Sequence, residues 1–374
     1  MLISERSGST SSTTAVDVSV DVPIFIMGMS RSGTTLLSRM LDAHSEIAIF
    51  PETWWYVVMD RLGCLKQFDS SWQTCLFLNE VWRNLKPYHD LAASIIAREA
   101  SNQTGYVGPT APLLEKLGHA YARERKARIW GEKTPGHALW LPQIQDLFPR
   151  ARVLFCVRDP RDVIVSYDDR WNQGRRDTQY VLNTAALLKH YLRQLLHQPA
   201  YPPEQIRWVK YETLTAEPAD ELRQICQFLG VDFQYSMLAF YRRQSQHEHP
   251  TEDAQHHALL SQPATTAHIG RYRNALGQSQ IALIERFLRE EMKALGYDHS
   301  DNKNTSATSA EEKTYAEAER YYQKMLSGDI RRRLRQRGQM KLRAYKIFGR
   351  TLNLVPSWRI AFSDKDWKSL ADNS

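Results

Sequence analysis

Cysteine is scarce in this chain: Cys64, Cys75, Cys156 and Cys226 are the four thiols in 374 residues, and no two form a CxxC pair. That excludes a disulfide framework and a zinc ribbon, and it points to a reducing compartment. Long apolar runs are missing too, since no uninterrupted stretch approaches the roughly 18 residues that span a bilayer. Residues 1–22, rich in Ser, Thr and Val, lack both a basic start and an apolar centre. They read as a flexible polar arm and not as a signal peptide. A soluble, cytoplasmic protein is expected. Internal repeats are absent as well.

What is present is an ordinary globular composition. Hydrophobic residues make up 42%, enough for a sizeable core, and charged residues 24%. The net charge of +7 favours anionic partners such as nucleotides, nucleic acid, acidic glycans or a lipid surface, without choosing among them. No feature reads as specific nucleic-acid recognition.

Ile24-Phe25-Ile26-Met27 is a short continuous apolar run, the pattern of a parallel strand buried on both faces. A loop from Gly28 to Gly33 follows, and then Leu36, Leu37, Met40 and Leu41 at helical spacing. Strand, Gly-bounded loop and helix open a nucleotide-binding α/β unit. Further strands are predicted at 47–50, 128–131, 152–157 and 206–211, and helices near 138–148, from Pro160 to Tyr167, and over 280–295. The expected fold is α/β, of the P-loop nucleotide-binding type. A central, mostly parallel sheet is flanked by helices, with a helical cap over 54–128 and a basic helical C-terminal extension. The expected divisions are an arm (1–22), a main domain (23–298), a linker (299–310) and the extension (311–374).

Gly28-Met29-Ser30-Arg31-Ser32-Gly33-Thr34-Thr35 has the glycine spacing of a Walker A loop, but Thr34 replaces the lysine. The loop's physics survives that loss. Backbone N–H groups at a helix N-terminus still converge on one concavity, and Arg31 can supply the cation. No strand ends in an acidic metal ligand, so the loop suits a 5'-phosphate-like group without a Mg²⁺–triphosphate cargo. No metal is expected. The histidines His247, His249, His256 and His257 lie in a polar, Gln-rich stretch and show no ligand geometry.

A second anion site is suggested by Arg158-Asp159-Pro160-Arg161-Asp162-Val163-Ile164-Val165-Ser166-Tyr167. It places Arg158 at a strand's carboxyl edge and Ser166 in the next helix, where ligands of open α/β sheets bind. Taken alone, Arg158 also fits a structural ion pair and Ser166 a plain helix-face hydroxyl.

Together the two segments resemble the sulfotransferases that use 3'-phosphoadenosine 5'-phosphosulfate (PAPS). The similarity runs from about Pro23 to Tyr297. With Leu41-Asp42-Ala43-His44 and Glu52-Thr53 included, the chain is most similar to the tyrosylprotein sulfotransferase branch and its bacterial relatives. The resemblance implies that Arg31, Ser32, Gly33, Thr34 and Thr35 hold the 5'-phosphosulfate, and that Arg158 and Ser166 bind the 3'-phosphate. It places Tyr211 near the adenosine and Arg271, in Gly270-Arg271-Tyr272-Arg273, over the nucleotide. Glu52 matches the general base, and Lys133, with Arg31, the cations at the transferring group. PAPS would be the donor, released as 3'-phosphoadenosine 5'-phosphate, and the acceptor a hydroxyl on a peptide tyrosine, a sugar or a lipid-linked alcohol. The histidine base of the cytosolic small-molecule branch has no counterpart here. Read from the residues alone, Glu52 also fits a helix cap and Lys133 a solvated loop lysine. A P-loop kinase-like phosphotransferase and a non-catalytic anion- or membrane-binding protein remain as other readings.

Trp54, Trp55 and Tyr56 fit either an acceptor pocket or core. Residues 331–350 carry nine Lys and Arg with interspersed apolar side chains. This pattern fits peripheral contact with a membrane or an acidic polymer, or a solvated helix packed on the domain.

Overall fold

The computed structural model describes residues 22–86, 89–103, 105–196, 202–242, 258–299 and 308–326. Five strands, β1 (Ile24–Gly28), β2 (Ile47–Phe50), β5 (Ile129–Lys133), β6 (Arg152–Val157) and β7 (Ile206–Lys210), form one sheet in the order β2-β5-β1-β6-β7, every pairing parallel. Two residues each from β3 (Gln67–Phe68) and β4 (Gly108–Pro109) pair antiparallel outside it.

Alternation along β1 explains its continuous apolar run. Phe25 and Met27 enter one half of the core with Trp55, Tyr56 and Trp130, whereas Ile24 and Ile26 enter the other with Leu36, Leu37, Leu222 and Ile225. A strand covered on both faces favours apolar side chains all along its length. The half containing Phe25 is roofed by α2 (Trp55–Leu62), α3 (Ser71–Leu85), α4 (Asp90–Asn102) and α5 (Thr110–Glu124), the helical cap expected between 54 and 128. The opposite face carries α1 (Thr34–Asp42) and, farther along the chain, Pro218–Leu229.

Several boundaries differ from the sequence reading. The helix expected at 138–148 is a 3₁₀ turn, Pro135–Trp140, followed by α6 (Leu141–Leu147). Pro142 accounts for the break, because a residue without N–H fits only the first turn of a new helix. The 206–211 strand stops at Lys210, and Tyr211 opens a helix instead. The 280–295 helix is divided into Gln278–Phe287 and Arg289–Ala294. As expected, Pro160 begins α7 (Pro160–Trp171), which the Asp159 carboxylate caps by accepting from the Arg161 N–H.

Beyond α8 (Thr178–Leu196), the last described helix is Ser309–Leu326. It lies against α8 with Ala318 and Tyr322 buried, and Arg286 clamps Glu312 through two nitrogens at 2.7 and 2.9 Å. The described start of the C-terminal extension is thus packed on the main domain. The basic stretch 331–350, the arm up to residue 21, most of the linker and the histidines at 247–257 lie outside the described residues.

Candidate active site

The loop after β1 is shaped by two close approaches. A Cβ on Gly28 (φ +148°) would sit 2.3 Å from the Cys156 carbonyl oxygen, and one on Gly33 (φ +92°) would sit 2.7 Å from the Tyr211 ring. Only glycine meets both demands. Arg31 between them also takes a positive φ, +75°. Gly33 is the residue before α1 and offers no side-chain cap, so the first-turn N–H groups keep their usual lack of an intrahelical acceptor. A helix start of this kind, at the carboxyl edge of the central strand, is able to receive an anion.

The flanking strands deliver the cations. From β6, the buried Arg158 donates through Nη1 to the Arg31 carbonyl (3.3 Å) and through Nη2 to the His268 carbonyl. Its guanidinium lies 4.4 Å above the Tyr211 ring, and its Nε is buried with no acceptor among the described residues. Arg31 Nε in turn donates to Ser166 Oγ at 3.0 Å. Arg31, Arg158 and Ser166, separated in sequence, are therefore brought together, and Tyr211 supports both Gly33 and Arg158.

From β5, Lys133 Nζ donates to Glu52 Oε1 at 2.7 Å and reaches Thr35 Oγ1 at 3.4 Å. The Lys133 side chain is 8% exposed and that of Glu52 37%, so the carboxylate opens outward while the ammonium is enclosed. Glu52 does not cap a helix. Trp54 is the residue before α2 and makes no side-chain cap bond. Of the consecutive aromatics, Trp55 and Tyr56 are core at 0% exposure, and Trp54 is exposed.

Arg271, expected over the nucleotide, is held here by an ion pair. It pairs with Asp169 on α7 at 2.9 Å and is partly exposed. Its neighbours do close on the site: the Gly270 and Tyr272 N–H groups donate to Asp162 at 2.6 and 2.9 Å, and the His268 carbonyl meets Arg158. Burial pushes the Asp162 carboxyl up, opposed by the Tyr272 N–H and the Arg158 charge. Burial, then the charges of Arg271 and Arg158, pull the His268 imidazole down.

A buried network behind Glu52 and Lys133 was not read from the sequence. Glu132 Oε1 accepts from Thr53 N–H (3.3 Å), Thr53 Oγ1 (2.8 Å) and Thr134 Oγ1, while Oε2 meets His137 Nδ1 at 2.8 Å. His137 Nε2 accepts from the Tyr56 N–H at 3.4 Å. His137 therefore carries its proton on Nδ1. Thr53 adjoins Glu52 and Thr134 adjoins Lys133, so one carboxylate ties together the two backbones that carry the pair. The available signal was Glu132 itself, a carboxylate inside a strand whose five residues are all buried.

These features define a P-loop-like α/β protein with Arg31, Lys133 and Arg158 gathered at the carboxyl edge of its sheet, where open α/β sheets bind ligands. The Sulfotransferase family model matches residues 23–235, and the chain belongs to this family. A putative protein-tyrosine sulfotransferase of Caenorhabditis briggsae is 28% identical over 221 residues, 58% of this chain and 68% of that protein. Another from Caenorhabditis elegans is 34% identical over 107 residues, and the nodulation protein NoeE of Sinorhizobium fredii 24% over 228; these matches span 41% and 50% of those proteins. The sulfotransferase domain of the Synechococcus olefin synthase shares the fold, with TM-score 0.55 and 21% identity over 75% of this chain and 97% of that domain. The sulfotransferase domain of the curacin pathway aligns at TM-score 0.50. No helix among the described residues is long and apolar enough to cross a membrane.

Proposed function

We propose that this sulfotransferase moves the sulfuryl group of PAPS to an acceptor hydroxyl by in-line displacement, with Glu52 as general base. The observation that carries the reading is the 2.7 Å Glu52–Lys133 pair touching the start of α1, beside a loop whose far side holds Arg31, Arg158 and Ser166. The loop amides from Ser32 to Thr35 would hold the 5'-phosphosulfate. Arg158 Nε, buried without an acceptor among the described residues, and Ser166 would take the 3'-phosphate. Arg271 could join them by leaving Asp169.

In the reaction, the acceptor oxygen bonds to sulfur as its proton passes to Glu52. The bond from sulfur to the bridging oxygen breaks, its electron pair stays on the 5'-phosphate, and 3'-phosphoadenosine 5'-phosphate departs. Lys133 and Arg31 offset the charge gathering on the bridging and equatorial oxygens. No metal has a role in this scheme. The name of the nematode relatives supports a protein tyrosine as acceptor; a sugar or lipid-linked alcohol presents the same reactive group.

The test is Glu52→Gln. It should keep thermal stabilisation by 3'-phosphoadenosine 5'-phosphate and lose transfer from labelled PAPS by about 10²–10⁴-fold. Near-normal turnover would remove Glu52 as base. Stabilisation of the wild type by ADP–Mg²⁺ but not by the 3'-phosphorylated nucleotide would favour a phosphotransferase instead.

A further inference from the structure

Trp54 stands two residues after Glu52 in a left-handed conformation, φ 59° and ψ 24°, which a bulky side chain rarely adopts. Its indole remains 36% exposed although the next two aromatics are fully buried. Neither capping nor core packing accounts for a tryptophan here. The backbone is fixed all the same: the Trp54 N–H reaches Thr134 Oγ1 at 3.4 Å, and its carbonyl accepts from the Val58 N–H at 3.0 Å. The ring lies against Gly136, where a Cβ would come 3.2 Å from indole Cζ3 and 3.5 Å from the Tyr191 hydroxyl. Strain retained beside a catalytic pair is a reason to look for a function in the side chain it presents.

We propose that Trp54, seated on Gly136 and beside Tyr191, is the specificity-determining platform for the acceptor, and that it selects a hydroxyl carried on an aromatic ring. This rests on the assignment of Glu52 as base. An exposed indole face offers area and offset stacking to a flat ring. The hydroxyls of Thr53, next to Trp54, and of Thr134, whose Oγ1 accepts the Trp54 N–H, already donate to Glu132. A sugar would lay several hydroxyls on the apolar face of an indole, and leaving those unmatched disfavours it.

Calorimetric binding of 2-naphthol to the protein without donor, followed by transfer assays with 2-naphthol and N-acetylglucosamine oligomers, tests this. We expect Trp54→Ala to weaken 2-naphthol binding, and to raise its KM, about tenfold. Trp54→Phe should recover most of the loss. Gly136→Ala, which crowds the indole without touching the base, should also weaken binding. Stabilisation by 3'-phosphoadenosine 5'-phosphate should persist in all three. Unchanged 2-naphthol affinity in Trp54→Ala and Gly136→Ala, or a wild-type preference for the oligosaccharide, would overturn the proposal. Failure of the nucleotide to stabilise the wild type would count against the donor assignment and leave the naphthol comparison readable.

Discussion

Replacing Glu132 by glutamine sets a hydrogen-bond problem whose outcome can be worked from the structure. The carboxylate accepts on both oxygens, three donors on one and His137 Nδ1–H on the other. A glutamine can keep its carbonyl oxygen toward Thr53 and Thr134, but its amide N–H then faces His137 Nδ1. The imidazole would have to move its proton to Nε2, where the Tyr56 N–H already points. One buried donor faces another, at a cost of about 1–3 kcal/mol. The reverse flip is worse, since it turns the amide N–H groups on three donors. Glu132→Ala leaves all of those donors unmatched in a dry interior and should cost about 3–5 kcal/mol. Urea unfolding would read both losses as midpoint shifts at unchanged slope. Transfer activity should fall further than nucleotide stabilisation in each variant, because Thr53 and Thr134 flank Glu52 and Lys133 and not the phosphate loop. A glutamine variant as stable as the wild type, or equal destabilisation by glutamine and alanine, would refute the network as described.

Gly33→Ala should destabilise by about 1–3 kcal/mol, from positive φ and overlap with the Tyr211 ring, and should weaken nucleotide affinity because that ring carries Arg158; thermal unfolding with and without nucleotide measures both. Arg158→Lys should cut stabilisation by the 3'-phosphorylated nucleotide to the level given by AMP, since a single ammonium cannot span the two carbonyls and the phosphate that a guanidinium fork reaches. Burial pushes the Cys64 and Cys75 thiols up to about 12 and Cys226 up to about 11, and raises Cys156 too. Thiolate forms only as pH climbs toward these values, so iodoacetamide at pH 8 should label none of the four in the native protein and all of them in concentrated urea, as read by mass spectrometry. Rapid native labelling of any one would contradict the packing around it.

The parts of the site legible in the sequence are those where backbone geometry restricts the residue. Gly28 and Gly33 stand out because no side chain fits against Cys156 or Tyr211, and Pro160 because its missing N–H suits a helix start. The apolar runs of β1 and β6 were equally plain, since burial on both faces favours apolar side chains at nearly every position. The pairing of Glu52 with Lys133 came only through family resemblance, because nothing local couples residues 81 apart. Glu132, His137 and Asp162 escaped notice for a related reason: each is polar in a buried place, and each needs a partner from a distant segment, Thr53 for Glu132, Tyr56 for His137, Gly270 and Tyr272 for Asp162. The division of Trp54 from Trp55 and Tyr56 depended on one left-handed backbone angle, which the residue type alone argues against.

The order of the strands also bears on how the protein comes into being. Because β1 sits between β5 and β6, its nearest partners arrive late: Thr35 meets Lys133 across 98 residues, Arg31 meets Arg158 across 127 and Ser166 across 135. Contacts of such separation are slow to form, since long loops must close before they gain anything. The phosphate loop leaves the ribosome before β5 and β6 and waits for Lys133 and Arg158. A ligand that needs both flanking strands binds only the completed sheet, so it slows unfolding of the native enzyme and offers nothing to the unfinished chain.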